Sequence, residues 1–234
     1  MEIRMEKCKE LKQKPDQKHL GFGKYMTDYM FVMDWTKDEG WKDARIVPYA
    51  PITLEPACVT LHYAQETFEG MKAYRTAEGK IQLFRPEMNA KRMINSNARL
   101  CMPEVPEDMF VEAVKALVKV EEDWVPSEPE TSLYIRPFMF ATESALGVHM
   151  ATAYKFMVIC CPVGAYYAEG INPVKILVED ELVRAVKGGT GFTKCGGNYA
   201  GSILGQVKAE KMVAMYQDKG YGMVVVTDIP RCFG

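Results

Sequence analysis

Lys194 lies in the middle of a glycine-rich segment, residues 187–202, with the sequence KGGTGFTKCGGNYAGS. Small residues allow backbone amides and a bulky planar ligand to approach each other closely. A deprotonated lysine amine in such a place can attack a carbonyl and form an imine, and pyridoxal phosphate is the commonest partner in that chemistry. The alternative is a solvated lysine in a flexible loop, because most lysines lie on protein surfaces. The residue types alone leave both interpretations open.

The same segment does not carry either of two common phosphate-binding motifs. A P-loop ends in Gly-Lys-Ser/Thr, whereas here Thr193 precedes the lysine and Cys195 follows it. A dinucleotide-binding fingerprint requires glycine where Lys194 stands, after Gly189 and Gly191. The sequence therefore argues against nucleotide binding at this segment.

The composition excludes several other function classes. The 234 residues carry a formal net charge of −2, with both signs spread along the chain, so we expect no nucleic-acid and no membrane partner. No apolar run approaches the roughly 20 residues that span a bilayer. The first 20 residues mix acids and bases and resemble neither a secretory signal nor a transit peptide, so the protein is expected to be cytoplasmic.

The cysteines and histidines show no zinc-binding spacing, and no metal is predicted. Cys160 and Cys161 are interpreted as core residues of a buried strand. Cys195, beside the lysine, is interpreted as structural.

Hydrophobic patterns predict the helices and strands that must position these residues. They form an N-terminal α/β domain over 1–163 and a second domain over 174–234, joined by a linker at 164–173. A hairpin is predicted where the turn TAEG separates two strands, and Pro86 suits the first turn of a helix. The predicted elements are strands at 68–75 and 80–84, helices at 85–100 and 106–124, strands at 131–142, 153–163 and 174–180, and a helix at 202–220.

The glycine-rich segment closely resembles the lysine segment of the branched-chain amino-acid aminotransferases, which are fold-type-IV pyridoxal-phosphate enzymes. The resemblance runs from near Tyr29 to about Gln206. It implies a two-domain α+β or α/β fold of the fold-type-IV, D-amino-acid-aminotransferase-like class. Four further stretches agree in the family's order: LHYAQETFEGMKAYR (61–75), LFRPEMNAKRM (83–93), LYIRPFMFATESALGV (133–148) and FMVICCPVGAYY (156–167).

The resemblance implies roles for three residues around the cofactor, pyridoxal 5'-phosphate. Lys194 would bind it covalently and then carry a proton to and from the substrate. Tyr199, in GGNYA, would hydrogen-bond the phenolic oxygen of the cofactor. Arg92, in AKRM, would hold the cofactor phosphate, which suits a guanidinium group. Without the resemblance, Arg92 would be interpreted as a solvated cation on an amphipathic helix.

Four further residues match the substrate pocket of the family: Tyr63, Phe68, Tyr134 and Arg136. Aromatic walls suit an aliphatic side chain, and Arg136 could recognise the second carboxylate of glutamate. For the aromatic residues, ordinary core packing is the alternative. The implied reaction transfers the amino group of leucine, isoleucine or valine to 2-oxoglutarate, which gives glutamate. The implied assembly is a homodimer.

After Gln206 the resemblance ends. The family continues with a glutamate that pairs with the pyridine nitrogen and a threonine that binds the phosphate, and neither role transfers to Glu210 or Thr227. The second domain is therefore expected to be incomplete. Two alternatives stay open: a truncated, non-catalytic isoform or pseudoenzyme that acts through subunit binding, and another enzyme of the fold type such as D-amino-acid aminotransferase or 4-amino-4-deoxychorismate lyase.

Overall fold

The computed structural model describes residues 1–165, 175–178, 181–216 and 224–227. The chain divides into two compact units, Met1–Tyr166 and Tyr167–Gly234. This division falls within the predicted linker 164–173, of which residues 166–173 lie outside the described residues. Both units contain helices and strands.

The first unit is built around an eight-stranded sheet. The strands are β1 (Arg4–Met5), β2 (Tyr29–Thr36), β3 (Gly40–Pro48), β4 (Glu66–Phe68), β5 (Met71–Arg75), β6 (Ile81–Leu83), β7 (Ser132–Ala141) and β8 (Ala153–Val163). Their order in the sheet is β1-β3-β2-β8-β7-β5-β6, and β4 lies off this path and pairs with β7. All pairs are antiparallel except β1 with β3.

The two longest strands, β7 and β8, confirm the strands predicted at 131–142 and 153–163. They pair continuously from Ser132 opposite Val163 to Ala141 opposite Tyr154. Cys160 and Cys161 are buried on β8, as predicted, and burial raises the pKa of both thiols. The predicted hairpin is also present, because β5 pairs with β6 across the turn.

The strand predicted at 68–75 is interrupted at Glu69 and Gly70. Phe68 pairs with Phe138 and Met71 with Ile135, so Glu69 lies opposite Pro137 and Gly70 opposite Arg136 in the same register. The Glu69 N–H donates to the Pro137 carbonyl at 2.7 Å. Proline has no N–H to return a ladder hydrogen bond, so the regular pairing breaks at this point.

The hairpin of β2 and β3 was not predicted from the sequence. Phe31 and Met33 of β2 enter the main core, whereas Met30 and Val32 enter a smaller cluster. A strand buried on both faces shows no polar alternation, and this removes the periodic signal on which strand prediction depends.

Two amphipathic helices, α2 (Pro86–Arg99) and α3 (Glu107–Val120), contribute to the main core. Both confirm sequence predictions, although the second was expected to reach residue 124, where a 3₁₀ turn (Glu122–Trp124) is found instead. A short helix, α1 (Val59–Tyr63), precedes β4. The buried face of α3 includes Phe110, Val114, Leu117 and Val118, and Val111 beside them is partly buried.

A buried carboxyl, Glu121, follows α3 and should make the stability of this unit depend on pH. Its Oε1 accepts the Tyr29 N–H at 2.6 Å, yet burial raises its pKa to about 7. The folded form therefore binds more protons than the unfolded form between pH 4.5 and 7, so this contribution to stability is lost as pH rises through 7. We expect Glu121→Gln to lack this decrease of stability with pH. At pH 8 its free energy of unfolding should be about 3 kcal/mol higher than that of the wild type.

Urea unfolding at pH 5 and pH 8 tests this expectation. Glu122→Gln, at the exposed neighbouring position, is the matched control and should leave the pH dependence unchanged. Equal pH dependence in the wild type and Glu121→Gln would contradict it.

The second unit contains two described strands and two described helices. Strand β9 (Lys175–Val178), which lies in the predicted strand 174–180, pairs in parallel with β10 (Val224–Thr227). Helix α5 (Ile203–Tyr216) matches the predicted helix 202–220, whose end at Gly220 lies outside the described residues. A five-residue helix, α4 (Gly196–Ala200), was not predicted. Among the described residues, no helix has the length and apolar character that a bilayer crossing requires.

Candidate active site

Lys194 lies immediately before α4, and its side chain is partly buried. Its Nζ donates a hydrogen bond to the Tyr199 hydroxyl at 2.8 Å and lies 5.2 Å from the centre of the Tyr199 ring. Helix α4 contains Tyr199 and begins two residues after Lys194, so the helical path of the chain between them brings the two side chains together. An amine and a phenol, both named from the sequence, thus form one cluster in the second unit.

Asn198, which sequence reasoning did not identify, holds the loop that carries Lys194. Its buried side chain donates from Nδ2 to the carbonyls of Thr190 and Thr193, both at 2.7 Å. Its Oδ1 accepts from the Thr190 hydroxyl at 2.8 Å. An asparagine can make all of these bonds at once, because its amide both donates twice and accepts. The asparagine in GGNYA was the available signal, but its function depends on the folded loop.

We expect Asn198→Ala to loosen this loop, because it removes three hydrogen bonds. The Thr190 and Thr193 carbonyls then keep only their backbone hydrogen bonds, from the N–H groups of Thr193 and Cys195. Trypsin should then cleave after Lys187 and Lys194 about tenfold faster, which corresponds to about 1.4 kcal/mol of lost local stability. Ser202→Ala, which removes only an exposed bond to the Tyr199 carbonyl, is the control. Unchanged cleavage rates in Asn198→Ala would show that the asparagine does not hold the loop.

Two glycines of the loop are required by its own packing. A Cβ at Gly191 would lie 2.6 Å from the Cβ of Ala185, and one at Gly189 would lie 3.0 Å from the Val186 carbonyl oxygen. The Thr193 hydroxyl, next to Lys194, is buried and has no hydrogen-bond partner among the described residues. Cys195 is buried, as its structural interpretation requires.

Arg92 lies on α2 of the first unit and is bound by a buried acid. Its Nε and Nη2 donate to the two carboxylate oxygens of Glu69 at 2.6 and 2.7 Å. The Glu69 side chain is fully buried, whereas that of Arg92 is 52% exposed. Asn89, one turn earlier on α2, donates to Glu69 at 2.9 Å. Arg92 is therefore a fixed guanidinium with an exposed edge, which contradicts the alternative of a merely solvated cation.

The three residues Phe68, Tyr134 and Arg136 form a second cluster in the first unit. Arg136 donates from Nη2 to the Tyr134 hydroxyl at 2.8 Å, and its guanidinium lies 4.6 Å from the centre of the Phe68 ring. Tyr134 and Arg136 alternate with buried residues on β7, so both project from the sheet face that is away from the main core. The Arg136 Nε is buried without a hydrogen-bond partner among the described residues.

Phe22 extends the same cluster and was not found from the sequence. Its ring is 4.9 Å from that of Tyr134, in an edge-to-face arrangement, and it is 48% exposed. Tyr63, at the end of α1, is 41% exposed, and its ring lies beside that of His62 rather than beside those of the Arg136 cluster. The structure therefore brings together three of the four residues predicted for the substrate pocket.

Within the described ranges, neither a group of metal ligands nor the groove beside β6 and α3 coincides with these clusters. In the described part of the chain, no group of three or more metal-ligating side chains is found. A groove of about 1230 Å³ lies beside β6 and α3, and its lining includes Ile81, Leu83, Val111 and Val118 with charged residues around them. The site residues predicted from the sequence do not line it.

Curated branched-chain aminotransferases match nearly the whole chain. No family model matches the chain. The chain is 51% identical over 227 residues to the branched-chain-amino-acid transaminase 1 of Bacillus subtilis (strain 168), an alignment that covers 97% of this chain and 62% of that protein. It is 52% identical over 227 residues to a probable branched-chain-amino-acid aminotransferase of Staphylococcus aureus (strain N315), covering 97% and 61%. Over 97% of its length, the chain is thus similar to branched-chain aminotransferases.

Solved structures of branched-chain aminotransferases show the same similarity. The enzyme from T.th. with pyridoxamine 5'-phosphate superposes with a TM-score of 0.62 at 27% identity, covering 84% of this chain and 59% of that one. The same enzyme with N-(5'-phosphopyridoxyl)-L-glutamate gives 0.60 at 25% identity, covering 84% and 58%. The fold-type-IV class predicted from the sequence is confirmed. The chain spans about 60% of the length of the curated relatives it matches.

Proposed function

We propose that this protein catalyses pyridoxal-phosphate-dependent transamination between branched-chain L-amino acids (leucine, isoleucine and valine) and 2-oxoglutarate. The observation that carries the proposal is the 2.8 Å contact between Lys194 Nζ and the Tyr199 hydroxyl, in a loop that Asn198 holds closed. The names of the relatives, which are branched-chain aminotransferases, support the substrate class.

The side chains present fit the cofactor. In the second unit, Lys194 would provide the amine that attaches to its aldehyde, and Tyr199 provides a phenol beside that amine. In the first unit, considered by itself, Arg92 is a half-exposed guanidinium of the kind that binds a phosphate. Pyridoxal phosphate, when bound, supplies an electron sink for negative charge at the substrate α-carbon. Lys194 Nζ then accepts and returns the proton of that carbon, and the Tyr199 hydroxyl keeps the amine oriented between these transfers.

The Arg136 cluster accounts for two unlike substrates. The rings of Phe22, Phe68 and Tyr134 offer an apolar surface for an aliphatic side chain. The Arg136 guanidinium, oriented by the Tyr134 hydroxyl, offers charge-assisted hydrogen bonds to the second carboxylate of glutamate or 2-oxoglutarate. One pocket can therefore accept both amino donors and the amino acceptor.

The loop between β7 and β8 supports a homodimer. It exposes three apolar side chains, of which Leu146 is 70%, Val148 87% and Met150 59% accessible. Adjacent exposed apolar residues of this kind are typical of protein interfaces.

The described cysteines are free thiols, which agrees with a reducing, cytoplasmic location.

The proposal is tested by adding pyridoxal phosphate to the purified chain, reducing with borohydride and mapping the modified peptides by mass spectrometry. We expect one phosphopyridoxyl group, on Lys194. Label spread over surface lysines, or no label, would sink the proposal. Assays with leucine and with D-alanine as amino donors then separate branched-chain transamination from D-amino-acid transamination, and we expect activity with leucine alone.

A further inference from the structure

Position 70 requires glycine because a neighbouring side chain leaves no room for a Cβ, and not because of its backbone conformation. Its backbone is not in the left-handed region that other residues avoid. A Cβ built on Gly70 would nevertheless lie 2.3 Å from the hydroxyl oxygen of Tyr134 and 3.1 Å from its Cζ. The Tyr134 phenol therefore fills the volume that any other residue at position 70 would use for its side chain.

The phenol in that volume is the hydrogen-bond partner of Arg136. Gly70 lies opposite Arg136 in the register of β5 and β7, and Tyr134 is two residues along the same face of β7. The Tyr134 hydroxyl lies over Gly70 and accepts from Arg136 Nη2 at 2.8 Å. A displaced phenol could not hold the guanidinium where it now lies.

We propose that Gly70 is a positioning residue for carboxylate recognition, since its missing side chain lets Tyr134 fix Arg136. The inference rests on the proposed function, in which Arg136 binds the second carboxylate of a dicarboxylate substrate. Gly70 acts only through the Tyr134 hydroxyl, so any effect of filling position 70 must depend on that hydroxyl.

The first variant is Gly70→Ala, tested with two non-reacting ligands of the cofactor-loaded chain. Glutarate is the dicarboxylate probe and 4-methylvalerate is the branched monocarboxylate probe. We expect the Kd of glutarate, measured by calorimetry, to rise about tenfold, because a charge-assisted hydrogen bond is misplaced. The Kd of 4-methylvalerate should change less than about threefold. Gly164→Ala, at a glycine with open space around its Cβ position and no left-handed backbone, is the matched control.

A double-mutant cycle with Tyr134→Phe distinguishes positioning from general damage. Tyr134→Phe removes the atom 2.3 Å from the added Cβ and leaves the nearest ring carbon at 3.1 Å. We expect Gly70→Ala to lower the Tm of the cofactor-free chain in the wild-type background and to have little effect in the Tyr134→Phe background. The Kd of glutarate for the double variant should equal that of Tyr134→Phe within about twofold.

Arg136→Gln separates failure of this inference from failure of the proposed function. If Arg136→Gln binds glutarate as tightly as the wild type, Arg136 does not recognise the second carboxylate and the proposed function fails in that respect. If Arg136→Gln weakens glutarate binding but Gly70→Ala does not, the inference about Gly70 is overturned. The inference would also be overturned if the double variant raised the Kd of glutarate by the product of the two single effects, because Gly70→Ala would then act independently of the Tyr134 hydroxyl.

Discussion

Lys194→Ala is expected to abolish the borohydride-trapped label and to lower the rate of amino transfer from leucine by at least about 10³-fold. The variant lacks both the amine that attaches the cofactor and the base that moves the substrate proton, and a positioned base alone contributes about 10² to 10⁴-fold. The Tyr199 hydroxyl, 2.8 Å from Nζ, cannot replace it, because a hydroxyl does not attach the cofactor aldehyde as an amine does.

The control for this experiment is Lys187→Ala, an exposed lysine of the same glycine-rich segment. It should keep both the label and the rate, because the structure gives it no place beside Tyr199. Soluble Lys194→Ala that still transfers the amino group of leucine at a rate near that of the wild type would refute the assignment of Lys194 as the catalytic base.

The features that could be predicted from the sequence are those encoded over short distances along the chain. Lys194 and Tyr199 are five residues apart and meet through a single short helix, so one motif contained both. The helices α2 and α3 were predicted because a half-buried helix repeats its apolar residues at a fixed period. The strands β7 and β8 were predicted from dense aromatic and aliphatic residues bounded by turns.

The features that were missed depend on partners far away in the sequence. Glu69 is an ordinary acid in the stretch FEG until the fold places it beside Arg92, which lies 23 residues further along the chain. Phe22 precedes the first long strand, and only its contact with Tyr134 reveals its place in the cluster. The requirement for glycine at position 70 arises from the Tyr134 phenol across the sheet. No periodicity within these segments carries this information.

The guanidinium groups of Arg92 and Arg136, both in the first unit, are held by different means. Glu69 binds Arg92 through both of its oxygens and neutralises much of its charge, whereas Arg136 is held by a neutral phenol and by aromatic rings. A phosphate dianion carries enough charge to bind a guanidinium that is already partly neutralised, as that of Arg92 is. A single carboxylate binds better to a guanidinium that, like that of Arg136 among the described residues, has no acidic partner. In the function that we propose, Glu69 and Gly70, adjacent in the chain, would each serve one of the two anion sites.

Arg92→Ala is expected to destabilise the first unit and to remove selectivity for the cofactor phosphate. It leaves the fully buried Glu69 carboxylate without its bidentate partner, and the free energy of unfolding should fall by about 2 to 3 kcal/mol, less than for a fully buried pair because Arg92 is half exposed. The Kd of pyridoxal phosphate should rise at least about tenfold, whereas that of pyridoxal, which lacks the phosphate, should stay within about twofold.

The double variant Glu69→Gln/Arg92→Gln separates these two effects. It replaces the ion pair by two neutral amides of similar shape, so the buried position no longer holds an unpaired charge and most of the lost stability should return. The guanidinium is still absent, so the preference for pyridoxal phosphate over pyridoxal should remain as low as in Arg92→Ala. Recovery of that preference together with stability would mean that Arg92 only neutralises Glu69. If stability returns but the preference for pyridoxal phosphate does not, Arg92 binds the phosphate and the buried Glu69 serves to hold that arginine in place.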